Sequence, residues 1–160
     1  MSKGEDSKEV TPDVVDLRRK FASLYGTFGT DPVLAKQGII VEYELAKGKK
    51  VEFKIKKAGA RNQDWKLLYN QLMKPHAEEI EANSITEEDH GKLLSELYAK
   101  SVVLGWNGVE DSEGQAVPFT IQNCMELMQF MPELLSNIIA DSHDRSNFRH
   151  EEMEATAKNS

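Results

Sequence analysis

Apolar and polar residues alternate with a period of two along residues 39–45 and again along 51–55. In GIIVEYEL, Ile39, Val41, Tyr43 and Leu45 take one side, with Glu42 and Glu44 on the other; in KVEFKIK, Val51, Phe53 and Ile55 alternate with Glu52, Lys54 and Lys56. Successive side chains of a strand point to opposite faces, so both segments read as strands with one apolar face. Parity then limits how they join. A two-residue turn at Lys47-Gly48 would set Glu44 across from Val51 and put the apolar sets on opposite faces. Pairing Leu45 with Val51 keeps the sets together, and predicts a three- or five-residue loop with Gly48 at positive φ.

Past Ala58-Gly59-Ala60 the period becomes helical. Asn62 is placed to cap a helix with Trp65, Leu68, Tyr69, Leu72 and Met73 on one stripe. Pro75 ends or kinks that helix and begins a polar turn, HAEEIEA. Thr86, with Asp89 three positions on, starts another helix that carries Leu93, Leu94, Leu97, Tyr98, Ser101 and Val102 and ends near Gly105. Residues 105–118, with glycines at 105, 108 and 114, read as a loop. Thr120 caps a helix bearing Ile121, Cys124, Met125, Leu127 and Met128, and Pro132 opens one with Leu134, Leu135, Ile138 and Ile139. Upstream, Thr11-Pro12-Asp13 marks the start of a short helix with Val14, Val15, Leu17, Phe21 and Leu24 along one side. Residues 25–38, with three glycines and Pro32, read as irregular chain. The class is α+β: a small antiparallel β-hairpin element near residues 39–57, packed on a mainly helical domain of four to five helices between 62 and 150. One domain is expected over residues 11–153, with 1–10 and 154–160 disordered.

A chain of 160 residues is large enough to bury a core without a disulfide or metal. The single cysteine excludes an internal disulfide framework and a cysteine-rich zinc site. No stretch is apolar enough to span a bilayer, and the first twenty residues lack the core of a signal peptide, so an intracellular, soluble protein is expected. Charge divides the chain. Residues 1–73 hold 14 basic and 10 acidic side chains, whereas 74–160 hold 6 and 17. The basic excess gathers at Lys47, Lys49, Lys50, Lys54, Lys56, Lys57 and Arg61, a stripe that could attract phosphate or could simply discourage edge-to-edge strand pairing. A nucleic-acid-binding regulator is therefore one reading. A basic patch and an acidic half on one chain also suit self-association or docking to a charged protein.

Candidate chemistry is sparse. No GxSxG, P-loop, GxGxxG or HExxH pattern occurs, so no catalytic or cofactor-binding residue is assigned, no cofactor is implied and a non-enzyme is expected. His143 and His150 lie seven apart rather than the four usual for helical metal pairs, and Asp111-Ser112-Glu113-Gly114 lacks calcium-loop spacing; no metal site is assigned. Cys124 falls within an amphipathic helical pattern and is expected to be buried as a small apolar residue. The informative cluster is Met125, Met128, Phe130, Met131 and Leu135. Unbranched, polarizable methionines adapt to varied partners, and the acidic half of the chain would keep a partly exposed apolar groove soluble. These five residues are the candidate partner-binding surface.

The order of segments adds to this. A glycine-bounded hairpin is followed by AGARNQDWKLLYNQL, then YAKSVVLGWNGV, an acidic glycine loop, VPFTIQNCMELMQFMPEL and the polar SHDRSNFRHEEMEATAKNS. Over roughly residues 27–160 this resembles the tail assembly chaperone family of long-tailed, siphovirus-like bacteriophages, most specifically in LGWNGVEDSEG followed by VPFT and in the final AKNS. The resemblance implies a non-enzymatic helper in the host cell cytoplasm that binds the tape measure protein, recruits tail tube subunits and is absent from the mature virion. It also implies a longer product by programmed frameshift. Ala157-Lys158-Asn159 admits the spelling GCA AAA AAC, whose repeated adenines let both tRNAs re-pair one base back. A structural tail or head–tail connection protein of the virion is the alternative from a different class.

Overall fold

The computed structural model describes residues 13–149; the expectations placed on residues 1–10 and 154–160, on the Thr11-Pro12 start signal and on His150 lie outside them. Within that span the architecture is α+β. Three short helices, α1 (Val14–Lys20), α2 (Ala22–Phe28) and α3 (Pro32–Gln37), lead into β1 (Ile39–Glu44) and β2 (Lys50–Ile55). Next come α4 (Gln63–Met73), a 3₁₀ turn over Lys74–His76, α5 (Ala77–Glu81) and α6 (Glu87–Ser101). The chain closes with β3 (Val103–Asn107), α7 (Ile121–Phe130), α8 (Pro132–His143) and a 3₁₀ turn over Arg145–Phe148. Helices therefore replace the irregular chain expected over residues 25–38. Asp31 explains much of this: its side chain accepts from the amides of Val33 and Leu34, and Pro32 sits at the first helical position, where its missing N–H costs nothing.

β1 and β2 pair antiparallel with Val41 opposite Phe53 and Tyr43 opposite Val51. The parity argument holds, because Ile39, Val41, Tyr43, Val51, Phe53 and Ile55 share one face. The register differs by two residues from the pairing of Leu45 with Val51. Leu45 instead donates its amide to Lys49 O at 2.7 Å and lies at the mouth of a five-residue loop, residues 45–49. Gly48 has φ +77°, as the loop length requires, and Lys47 joins it at +66°.

The sheet has a third member. β3 pairs antiparallel with β2, giving the order β1-β2-β3, so the hairpin is two-thirds of a sheet, and the expected loop begins as a strand. A bulge at Leu104 sets Ile55 opposite Val103 and Lys54 opposite Gly105, which turns Val103 into the core and leaves Leu104 exposed. Gly108 follows at φ +94°, where a Cβ would stand 2.7 Å from Lys50 O; only glycine fits that crossing.

The inner face of the sheet packs on α6, α7 and α8. Phe53, Ile55, Leu97, Val102, Cys124, Met128, Ile138 and Phe148 are all fully buried there. Each large side chain contributes about 1.5–3 kcal/mol of burial. Asn62, Thr86 and Thr120 cap α4, α6 and α7 as the sequence predicts, each accepting the backbone N–H of the residue three positions on. At the far end, Arg149 donates from Nε to Gly29 O at 2.9 Å and from Nη2 to Thr27 O at 2.8 Å. The amide of Asp31 meanwhile donates to Phe148 O, so residues 145–149 strap the N-terminal helices to the body.

Candidate functional site

The five candidate partner residues lie along α7, at its turn into α8 and in the first turn of α8. Pro132 cannot continue α7 by donating an amide; Met131 serves as the C-cap of α7 and N-cap of α8, and the chain turns there. That corner separates the five by depth. Phe130 is 79% exposed and Met131 44%, both projecting from the turn. Met125 is half-buried against the core. Met128 and Leu135 are core: Met128 is fully buried and Leu135 nearly so. They are thus corrected from contact residues to supports, because the 3.6-residue period that groups them with Met131 in sequence turns them inward toward α6. Together with Gln129 and Pro132 they line a cleft of about 380 Å³ whose other wall is the first turns of α6, including Glu87, Glu88 and Lys92. Glu126 and Glu133 are exposed on α7 and α8. The corner is an apolar knob in an acidic setting.

The lysine stripe is dispersed by its neighbours. Lys50 pairs with Glu42 at 3.3 Å, Lys49 with Glu110 at 3.6 Å and Lys56 with Asp64 at 3.6 Å. Lys57 is buried, and its Nζ donates to Ala58 O; burial, followed by the charges of Arg145 and Arg61, lowers its pKa. The outer face of the sheet thereby alternates in sign.

A polar cluster lies where α4, α6 and α8 meet. Tyr98 Oη and His143 Nε2 are 2.7 Å apart, and Trp65 stacks on Tyr69 while meeting the His143 ring edge-on. Burial, then the charge of Lys57, lowers the pKa of His143; burial raises that of Tyr98. A base and a hydroxyl at this distance could exchange a proton. The cavities at the N-terminal helices, beside Lys56 and under the α7–α8 corner are all lined by other residues. Burial pushes the Cys124 thiol up to about 12, which leaves it protonated and poorly nucleophilic. Asp111 spends its carboxylate inside its own loop, Oδ1 accepting from the amides of Glu113 and Gln115. Among the described residues no three His, Cys, Asp or Glu side chains gather as a metal site, and no helix is long and apolar enough to cross a membrane.

Sequence reasoning missed a second apolar surface. α1 and α2 expose Phe21, Leu24 and Phe28 around a cavity of about 330 Å³ that also takes in Arg18 and Tyr25. The helical stripe Leu17, Phe21, Leu24 was visible in sequence; that it would stay uncovered was not.

The described residues form an α+β fold that leaves apolar side chains exposed at the α7–α8 corner and at the N-terminal helices. The model of the YdaY prophage protein family matches residues 60–159, which include α4 through α8 and the exposed corner. The chain belongs to that family and is of phage origin. Comparison with curated proteins and with solved structures finds no match.

Proposed function

We propose that the chain is a non-enzymatic tail assembly chaperone, which binds the tape measure protein and recruits tail tube subunits while a phage tail is built. The observation that carries this reading is the α7–α8 corner: Phe130 and Met131 stand exposed, and Glu126 and Glu133 are exposed on the two helices that meet there. A tape measure is a long helix with apolar stripes, and a helix lays such a stripe against apolar anchors on its partner. Phage origin supplies the setting. The acidic surroundings keep the knob dispersed until its partner arrives.

The test is co-expression of the tagged chain with the tape measure and tail tube proteins of the same phage, followed by affinity capture. The tape measure should be retained by the wild type and lost from a Phe130→Ser/Met131→Ser variant that stays folded. Mass spectrometry of purified virions separates this reading from a structural subunit, which would be present in fixed copy number. Capture of neither protein would sink the proposal.

A further inference from the structure

The groove between α1 and α2 is chemically incomplete. Its rim is apolar, with Phe21, Leu24 and Phe28 more than half exposed, and these side chains take no part in the core. Arg18 lines the same cavity, is only 7% exposed, and finds no acceptor for Nε or Nη1 among the described residues. Tyr25 Oη, also buried and lining the cavity, has no hydrogen-bond partner among the described residues either. The guanidinium lies 6.0 Å from the centre of the Tyr25 ring, so both sets of free donors belong to one place. Buried donors without acceptors are rare because burial strips their water and gives nothing back. A carboxylate is the acceptor that matches a guanidinium fork, and a tyrosine hydroxyl can donate to the same group. The groove therefore fits an apolar side chain that arrives with a carboxylate beside it.

The chain itself carries that combination. At the α7–α8 corner Phe130 and Met131 project outward, and Glu133 follows in the first turn of α8. The charge match is local: Arg18 is the buried cation of the groove, and Glu133 is the exposed carboxylate beside Phe130 and Met131. The segments outside the described residues suit the groove less well: residues 1–12 and 150–160 contain acids, but only Met1, Val10 and Met153 as sizeable apolar side chains, too few to cover three aromatic or leucine side chains. We propose that the α1–α2 groove receives the α7–α8 corner of a second copy of this chain, with Phe130 on the apolar rim and Glu133 against Arg18 and Tyr25. Groove and knob are different patches, so the contact is heterologous, and a bound pair still offers one free knob and one free groove. The proposal does not rest on the chaperone reading, because it concerns the purified chain alone. Where both hold, a tape measure must displace a neighbouring copy to reach Phe130.

The experiment is analytical ultracentrifugation of the full-length protein over a concentration series reaching hundreds of micromolar, where contacts of small area associate. The wild type should grow in mass with concentration, past the dimer. Arg18→Met, which removes the unpaired charge while keeping an apolar stem, should weaken association at least tenfold, and so should Phe130→Ser. Phe28→Ser on the exposed rim replaces Arg18→Met if that variant fails to fold. An equimolar mixture of a groove variant with Phe130→Ser should form dimers and nothing larger, because only one intact groove and one intact knob remain per pair. A wild type that stays monomeric, including one whose own terminal segment fills the groove, overturns the proposal. So does a mixture that fails to dimerise, or a wild type that stops at a symmetric dimer.

Discussion

Tyr43 on the edge strand β1 donates a 2.6 Å hydrogen bond to Oδ2 of Asp141 on α8, across 98 positions of sequence. β1 touches the rest of the protein chiefly through β2, so this bond is a second, independent fastening of the sheet edge. Burial, then the bond itself and the charge of Asp141, raises the phenol's pKa well above its usual range. Hydrogen bonds to charged groups contribute about 1.5–3 kcal/mol, and partial exposure places this one toward the lower end. Tyr43→Phe should therefore lower stability by about 1–2 kcal/mol, measured by urea denaturation with an unchanged m-value. A loss within experimental error would mean that water replaces the tyrosine at no cost.

Depth at the α7–α8 corner predicts opposite outcomes for neighbouring residues. Met128 is sealed in the core, and Met128→Ala should cost about 2–5 kcal/mol through lost contacts and a cavity. Phe130 is open to solvent, and Phe130→Ser should change stability by no more than about 0.5 kcal/mol. Paired thermal melts decide it. Similar losses for both would contradict the burial described here.

Acid should loosen the contact of α8 with α4 and α6. The pKa of His143 is lowered in the folded protein, so in the window below the ordinary value of 6.5 the unfolded chain binds more protons than the folded one. The stabilisation tied to neutral His143 is complete above 6.5 and is lost as the pH falls through it toward the lower folded value. Melting temperature should drop between pH 7.5 and 5, roughly the range over which histidine changes charge. His143→Gln should flatten that part of the curve; an equally steep curve in the variant would assign the effect to another group.

Cys124 is a probe of the core rather than a reactive site. Its thiol is fully buried, and burial pushes its pKa up to about 12. Ellman's reagent should leave the native protein unlabelled at pH 8 and modify one thiol per chain once urea unfolds it. Rapid labelling without denaturant would show that α7 opens locally.

Much of the fold was legible because it follows from local chemistry. Asn62, Thr86 and Thr120 cap helices through their own side chains, and the alternation in β1 and β2 settles which faces meet. β3 was not legible. Val102 and Val103 extend the apolar stripe of α6, and the strand exists only because Phe53 and Lys54, some fifty positions earlier, supply its ladder. The helices over residues 22–37 were obscured by glycines read as breaks, although Asp31-Pro32 carried a start signal. At the candidate site, sequence located the corner but could not sort Met128 and Leu135 from Phe130 and Met131, which takes knowledge of where α6 lies. The Arg18–Tyr25 groove was wholly invisible, since an unsatisfied guanidinium is defined by what surrounds it.

The strap formed by residues 145–149 has a consequence for the order of synthesis. The carbonyls of Thr27 and Gly29 receive Arg149, and the amide of Asp31 reaches Phe148, only after some 120 further residues have left the ribosome. At about 5–20 residues per second that interval is roughly ten seconds. Throughout it α1 and α2 lack the strap that ties them to the body, although α3 can already receive Lys57 N–H at Ala35 O, and Phe21, Leu24 and Phe28 are exposed.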